Sequence, residues 1–170
     1  MISKDLQNAL NDQINAELWS AYLYLSMSLD AESKTLNGIA RWFFVQWMEE
    51  QDHARIFQKY MSERGAKVEL KPIATVPKEW KNPLEMFKDA LDHEVEVTAM
   101  IYDLVKMAAS EGDFTTLSRL QWFIDEQVEE EKSAADIVTE LERAGKDYST
   151  IRDIDATLGQ REYKKAGPLA

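Results

Sequence analysis

The stretch Leu6–Tyr24 reads LQNALNDQINAELWSAYLY, and its pattern determines the fold class. Apolar side chains return at the spacing of one helix face, which predicts a long amphipathic helix. Placed at 100° per residue, the apolar side chains within about 60° of Glu17 are Leu6, Leu10, Ile14, Ala21 and Tyr24. This helix is therefore predicted to bury a carboxylate in the middle of its apolar face.

Three later segments repeat this arrangement. Glu50 and Glu94 lie in the middle of their apolar stripes, Gln127 takes that position on a fourth segment, and His53 and Glu130 follow one turn later. A buried, ionised carboxylate must be protonated, paired with a base or bound to a metal. Most of the 31 acidic residues fit a solvated helix face, and a raised pKa can keep a buried acid neutral. Several acids that share one site with a histidine favour a metal instead.

Arg64, at the end of the second segment, is the one basic residue within these stripes, so pairing within the core does not account for the acids. We refer below to Glu17, Glu50, Glu94 and Glu130 as the core glutamates.

The spacing of these groups indicates an internal repeat. Glu17 and Glu50 are 33 residues apart, as are Glu94 and Gln127, and the intervals from Glu17 to His53 and from Glu94 to Glu130 are both 36. Two equal hairpins related by a pseudo-twofold axis bring such groups to one depth. A Glu from each of two helices with Glu-x-x-His from the others is the ligand set of di-iron carboxylate bundles. Ligands without sulfur suit iron or manganese, although zinc also binds such sites.

Composition narrows the class of protein further. A length of 170 residues fits one domain, and six Gly with four Pro are few enough to predict an almost wholly helical chain. The absence of Cys excludes disulfides, Cys-bound zinc and iron–sulfur clusters, and it fits a cytoplasmic location. A net charge of −11 argues against nucleic-acid and anionic-membrane partners. We find no apolar signal segment and no apolar run long enough to span a membrane.

Capping signals predict four long helices and a short fifth. We expect helices from about Lys4 to Ala31, from a cap at Thr35 to Gly65, from Asn82 to Gly112 and from Asp113 to Gly145. Ser149 or Thr150 is expected to open the fifth helix, with one face formed by Ile151, Ile154 and Leu158.

Loop lengths predict the topology. The connection from Gly65 to Asn82 has 18 residues and can span about 59 Å, which exceeds the length of a 28-residue helix, about 42 Å. The short connections predict antiparallel hairpins, so this long crossover leaves the second and third helices parallel. The fold class is therefore all-α, a four-helix bundle with one crossover. We expect a single domain over residues 1–158 and a polar, loosely held tail over residues 159–170.

Three motifs resemble ferritin: NAELWSAYLYLSMS at residues 15–28, EEQDHA at residues 49–54 and DEQVEE at residues 125–130. The resemblance covers nearly the whole chain, and the chain is similar to the bacterial non-haem ferritins. It implies a hollow cage of twenty-four identical subunits, with the fifth helix lining a fourfold axis. It also implies oxidation of Fe(II) by dioxygen or peroxide at a di-iron ferroxidase centre, followed by storage as a ferric oxyhydroxide mineral.

The resemblance also implies roles for individual residues. Glu17, Glu50 and His53 would bind the first iron, with Glu50 bridging, while Glu94 and Glu130 would bind the second. Gln127 would lie beside the second ion, either supporting its ligands or orienting the oxidant. Tyr24 matches the tyrosine that hydrogen-bonds a ligand and donates an electron, although an ordinary core tyrosine is the alternative. Trp122 is a weaker candidate for an electron donor, and packing alone would explain it.

The second half departs from a symmetric di-iron enzyme, which has Glu and His where this chain has Gln127 and Glu130. Fewer strong ligands suit a site that releases its iron, and this favours ferritin over bacterioferritin, ribonucleotide reductase and oxygenase relatives. Gln51 stands where bacterioferritins have the haem-ligating Met, so no haem is expected. The absence of Cys argues against rubrerythrin.

A third group of acids, Glu49, Glu126 and Glu129, lies rotated by about 100° or more from the stripe centres. We refer to these as the outer glutamates. In bacterial ferritins the matching acids form an additional iron site between the ferroxidase centre and the cavity, and a solvated acidic face is the alternative here.

Other classes of protein remain open. One is a storage subunit whose acids only nucleate mineral, another is a structural bundle without metal, and a third is a di-metal enzyme that uses manganese or peroxide. A large aromatic content (Trp19, Trp42, Phe43, Phe44, Trp47, Trp122 and Phe123) is expected to contribute in part to subunit interfaces.

Overall fold

Five α-helices make up most of the protein in a computed structural model that describes residues 2–169. Their bounds are α1 Lys4–Ser33, α2 Asn37–Glu63, α3 Pro83–Ser110, α4 Phe114–Ala144 and α5 Tyr148–Leu158, followed by a 3₁₀ turn at Gly167–Leu169. The α1–α2 and α3–α4 connections are short, so each pair forms an antiparallel hairpin. The predicted all-α bundle with a short fifth helix is confirmed. None of the described helices is long and apolar enough to cross a membrane.

Local capping explains several helix ends. The Asn82 side chain accepts a hydrogen bond from the Glu85 amide at 2.9 Å, and the Asp113 side chain accepts one from the Thr116 amide at 3.0 Å. Gly65 follows α2 with a φ of 69°, a left-handed conformation that glycine adopts without a steric penalty. These ends match the predictions from sequence.

The start of α2 differs from the prediction, because Thr35 does not cap it. Thr35 lies in the left-handed region with a φ of 60°, and the residue before α2 is Leu36, which has no capping side chain. Instead Asp155, from α5, accepts a hydrogen bond from the Ile39 amide at 2.8 Å. A carboxylate that is distant in sequence thus satisfies a free amide at the N-terminus of α2.

Two other predicted ends also shift. The first helix continues to Ser33 rather than ending at Ala31. The fifth begins at Tyr148, because its cap is Asp147 rather than Ser149 or Thr150; the Asp147 carboxylate accepts hydrogen bonds from both of those amides.

The crossover, residues 64–82, runs along α1 from Asn11 to Asp30. At one end the Asn11 side chain bonds the backbone of Lys67 and Glu69, at 3.2 and 2.8 Å. Further along, Ser26 donates to the Pro77 carbonyl at 2.7 Å, and Asp30 accepts from the Trp80 amide at 3.1 Å. The crossover therefore returns the chain to the opposite end of the bundle, and α3 runs parallel to α2.

A polar layer divides the core into two apolar clusters. One cluster contains Met27, Phe43 and Phe87 and lies towards α5. The other contains Leu10, Phe57 and Phe123. The core glutamates come from the helix segments between these clusters, so the polar layer lies near mid-height of the bundle.

The C-terminal segment, residues 159–169, is packed against the bundle rather than loosely held. Arg161 forms an ion pair with Glu49 at 2.5 Å. The Asp52 carboxylate accepts hydrogen bonds from the Tyr163 hydroxyl at 2.6 Å and from the Ala166 amide at 3.2 Å. Residue 170, the last of the predicted tail, lies outside the described residues.

The α5 helix packs within its own chain, against α2 and α4. Ile154 is buried in the apolar cluster near α5, and Leu158 packs against the same cluster. A Cβ atom added at Gly38 would lie 1.6 Å from the Asp155 carbonyl oxygen, so only glycine permits this approach of α2 to α5.

Candidate metal centre

Each long helix contributes one core glutamate to the polar layer, and all four side chains are buried. Glu17, Glu50 and Glu94 are 1%, 2% and 2% exposed, and Glu130 is 6% exposed. Glu17, Glu50 and Glu94 lie in the middle of their apolar stripes, and Glu130 lies one turn from the centre of its stripe, so the packing that buries each helix also buries its acid. The sequence pattern correctly predicted the burial of all four.

The first predicted iron site is brought together in the structure. Glu17, Glu50 and His53 each offer one ligand atom, and these three atoms lie within 4.8 Å of one another. The His53 Nδ1 atom is 3.4 Å from a Glu50 oxygen and 4.0 Å from a Glu17 oxygen. The i, i+3 spacing on α2 places Glu50 and His53 on one face of that helix.

A second potential ligand group lies on the other side of the His53 ring. His53, Glu126 and Glu130 also offer three atoms within 4.8 Å, and the His53 Nε2 atom is 4.0 Å from a Glu126 oxygen. One imidazole thus borders both groups. The predicted division between the core and outer glutamates is not sharp in the structure, because Glu126 joins Glu130 here.

Glu94 lies outside both of these groups. Its carboxylate accepts hydrogen bonds from the Tyr24 hydroxyl and, at 3.1 Å, from the Gln127 side chain. Gln127 also contacts the Thr98 hydroxyl at 3.3 Å. Tyr24 and Gln127 are therefore positioned to orient Glu94. The hydrogen bond from Tyr24 agrees with the expected contact to a ligand, whereas the role of Gln127 towards an oxidant stays a prediction. That Glu94 and Glu130 share a second ion stays a prediction.

The three outer glutamates have different surroundings. Glu49 is partly buried and paired with Arg161, Glu126 is partly buried beside His53, and Glu129 is exposed. The structure therefore brings Glu49 and Glu126 towards the polar layer, whereas Glu129 lies at the surface.

Burial makes ionisation of the core glutamates unfavourable in the absence of a cation. It raises the pKa of Glu17 to about 8, with a further rise from the charge of Glu50. It also raises the pKa of Glu94 to about 8, with repulsion from Glu130 adding to the effect. The pKa of Glu50 is raised well above its usual range by burial and by the charges of Glu94 and Glu130. A divalent cation would favour the ionised forms of these carboxyl groups.

Two further observations fit a cation. Within residues 2–169, no Lys or Arg forms an ion pair with a core glutamate, and Arg64 pairs with Asp113 at 2.9 Å instead. The Oε2 atom of Glu17 is buried without a hydrogen-bond donor. Such a lone pair aimed into a layer of carboxylates and imidazole is the chemistry that Fe(II) or Mn(II) accepts.

Two buried glutamines that hold the site were missed from the sequence. Gln13 donates to Glu17 at 2.9 Å, and Gln46 donates to Glu130 at 2.8 Å. Each lies four residues before a core glutamate, Glu17 or Glu50, and thus on the same helix face, so helix periodicity could have identified them.

The aromatic residues lie mostly inside the single chain. Trp42, Phe43 and Phe123 are buried, and the other four of the predicted interface aromatics are partly buried. The Trp122 ring lies 5.5 Å from the His53 ring in an edge-on arrangement, which places it next to the polar layer.

Comparison with known proteins gives one consistent result. Residues 7–144 match the ferritin-like domain family, described as "Ferritin". A bacterial non-heme ferritin of Bacteroides fragilis is 44% identical over 161 residues, which cover 95% of this chain and all of the relative. A bacterial non-heme ferritin of Staphylococcus haemolyticus is 37% identical and covers 96% of this chain and 98% of its own. Among solved structures, an open pore ferritin from the hyperthermophilic archaeon Archaeoglobus fulgidus superposes with a TM-score of 0.95 at 46% identity, covering 95% of this chain and 100% of its own.

Proposed function

Since the chain belongs to the ferritin family, we propose that it oxidises Fe(II) in the polar layer and stores the ferric product as a mineral inside a cage of twenty-four subunits. The observation that carries this proposal is that the core glutamates are buried around His53 and, within residues 2–169, have no Lys or Arg partner to balance their charge. A storage subunit without chemistry, or a structural bundle, has no need for such a costly layer.

In the proposed reaction, iron is the substrate. Glu17, Glu50 and His53 bind one Fe(II), and a second binds between Glu50, Glu94 and Glu130. Each Fe(II) gives one electron to the oxidant, dioxygen or hydrogen peroxide. Hydrolysis of the Fe(III) ions then releases protons and forms the oxyhydroxide.

The residues around the ions have distinct proposed roles. Tyr24 and Gln127 hold Glu94 in place through the hydrogen bonds described above, and Tyr24 is also a candidate electron donor. Gln13 and Gln46 orient Glu17 and Glu130. Glu126 continues the ligand set beyond His53, so that a third ion can bind between Glu126, Glu130 and Glu49 on its way to the mineral. Glu129, being exposed, would act beyond that position.

The proposed cage agrees with apolar side chains that a single chain leaves exposed. One group lies on the outer side of α1 and on the crossover that runs along it, namely Tyr22, Leu29, Leu70 and Ile73, and others lie on α3 and α4. Apolar surface of this kind marks contacts between subunits. We propose a cytoplasmic location on the ground that the chain has no Cys and thus no disulfide to form.

The test is Fe(II) oxidation by the iron-free protein. We expect oxygen uptake and a ferric absorbance on addition of two Fe(II) per chain. In a Glu50→Ala/His53→Ala variant the initial rate of Fe(II) oxidation should fall by at least about 100-fold. Glu140→Gln is the matched control, because this exposed α4 glutamate is remote from the ligand groups. Equal rates in the double variant and the control would contradict the proposal. Anaerobic titration with Mn(II) checks whether manganese is the preferred metal.

A further inference from the structure

Arg161 places a fixed positive charge beside the polar layer. Its guanidinium lies 2.5 Å from a Glu49 oxygen, and its carbon Cζ lies 4.5 Å from the centre of the Trp42 ring. A second guanidinium nitrogen donates to the Trp42 carbonyl at 3.4 Å. The Arg161 side chain is about one quarter exposed, so it is partly solvated and is not part of the buried core.

Arg161 is paired with an acid that borders the third proposed ion. Glu49 precedes the core glutamate Glu50 on α2, and its carboxylate is the direct partner of the guanidinium at 2.5 Å. His53 follows Glu49 by four residues on the same helix face, and it lies with Glu126 and Glu130 in one potential ligand group. The guanidinium therefore occupies one of the carboxylates that a third ion would use.

A carboxylate that is paired with a guanidinium has its negative charge compensated and its lone pairs occupied. A divalent ion that binds Glu49 must compete for the same oxygens, and the like charges of ion and guanidinium repel each other. We propose that Arg161 is an exchangeable, covalently tethered counter-ion of Glu49, which a divalent cation displaces when it binds between Glu49, Glu126 and Glu130.

The rest of the C-terminal segment explains how the exchange stays local. The buried Asp52 carboxylate holds the Tyr163 hydroxyl and the Ala166 amide, and these contacts do not involve Glu49. The guanidinium can swing away from Glu49 while this second anchor keeps the segment on α2. Arg161 then returns when the ion leaves, without a search by the whole segment.

Arg161 thus sets the affinity of the third position, and it does so without touching the first two. An empty third position is already charge-compensated, which keeps it from holding iron tightly, and the returning guanidinium helps to expel an ion towards the mineral. This inference rests on the proposed function, because it deepens the account of the third ion.

The test uses Co(II), which binds oxygen and nitrogen ligands and is not oxidised by air under these conditions. Isothermal titration of the iron-free protein, with the d–d absorption recorded in parallel, resolves the affinity of each ion. We expect Arg161→Gln to bind the weakest of three ions about tenfold more tightly than the unmodified protein, with the two tighter ions unchanged. Arg161→Lys keeps the charge and is expected to remain closer to the unmodified protein.

Two controls isolate the contact. Arg152→Gln removes a charge from an exposed arginine on α5 that does not contact Glu49, and its third-ion affinity should not change. In a Glu49→Gln background, Arg161→Gln should have no further effect, since its partner is gone. In crystals loaded with Co(II), anomalous diffraction locates the ion. The refined structure should then show the guanidinium away from Glu49 and Tyr163 still bound to Asp52.

The outcomes separate this inference from the proposed function. An equal third-ion affinity with and without Arg161, or a tightening that persists in the Glu49→Gln background, would overturn the role of Arg161. Failure of the two tighter ions to bind in the unmodified protein would refute the proposed function instead.

Discussion

Single residues in the polar layer must satisfy opposing requirements of folding and binding. The Glu17 carboxylate has one oxygen bonded to Gln13 and one without a donor, and the proposed metal site would use that free oxygen as a ligand. In the absence of a cation this arrangement destabilises the fold, because an ionised Glu17 is far more stable in water. The proposed binding of a metal thus accounts for a residue that packing alone would not select.

Replacing Glu17 by Gln should therefore stabilise the metal-free protein at alkaline pH. The pKa of Glu17 is about 8 in the fold against 4.5 in the free side chain, so its contribution to stability is complete below pH 4.5 and is lost as the pH rises to 8. Glu17→Gln avoids that loss, and we expect a gain of about 2–4 kcal/mol at pH 8. Chemical denaturation of both proteins measures it.

At pH 4.5 the same two proteins should be almost equally stable, because Glu17 is then protonated in both the folded and, in part, the unfolded chain. With Co(II) present the order should reverse at pH 8, since the variant loses a ligand. A variant that is less stable than the parent without metal would show that Glu17 is compensated by another group.

Secondary-structure elements are joined by contacts between residues that are far apart in sequence. The N-terminus of α2 is capped by Asp155 of α5, and the end of α2 is tied to the start of α4 by Arg64 and Asp113. Both contacts fix the direction of α2, which carries Glu50 and His53. The geometry of the candidate centre therefore depends on helix ends about three turns away on either side.

Gly38→Ala should separate α5 from α2. The added Cβ atom would overlap the Asp155 carbonyl, and this backbone atom cannot rotate away as a side chain can. We expect a loss of about 2–4 kcal/mol in unfolding free energy, together with faster hydrogen exchange in α5. As a matched control, Gly65→Ala carries the strain of a positive φ without such a clash, so α5 should keep its protection.

Asp113→Asn should weaken the link between α2 and α4. The hydrogen bond from Arg64 lowers the pKa of the Asp113 carboxyl from the usual 3.8 to about 2, and burial opposes part of this lowering. The stabilisation is thus present above pH 3.8 and lost as the pH falls through 2. We expect the variant to be about 1 kcal/mol less stable at pH 7, because the pair is partly exposed, and to lose this deficit near pH 2. An unchanged deficit at low pH would assign the effect to capping alone.

How far the sequence predicts each element depends on the range of the interactions that define it. The ends at Asn82 and Asp113 depend on side chains within three residues, so local patterns identified them. The cap of α2 comes from Asp155, 116 residues away from Ile39, and no local pattern contains it. Thr35 was a reasonable but wrong choice for that reason.

The same distinction applies to the candidate centre. Burial of the core glutamates follows from helix periodicity, which a single stripe reveals. The pairing of Arg161 with Glu49 spans 112 residues and depends on how the C-terminal segment folds back. Hydrogen bonds that occupy Glu94 also depend on the exact packing of α1 against α3, which periodicity does not define.

The single chain leaves apolar side chains exposed, and contacts with other subunits can cover them. We expect light scattering to give about 470 kDa for twenty-four chains of 19.6 kDa. Leu29→Glu, at a side chain that is 57% exposed on α1, should yield smaller species with the same helix content. Lys132→Glu provides the control on α4, away from α1 and the crossover. A fully assembled Leu29→Glu protein would show that this face lies outside the contacts between subunits.

The polar layer between two apolar clusters has a consequence for how the subunit melts. Each half of the core holds its own aromatic stack, while the plane between them contains acids that water solvates better than protein does. In the metal-free protein, water should therefore enter first at the polar layer rather than at the two ends of the bundle. Under the proposed function, a cation bound in this layer would link the two halves of the core, so metal binding would stabilise the part of the subunit that is least stable without it.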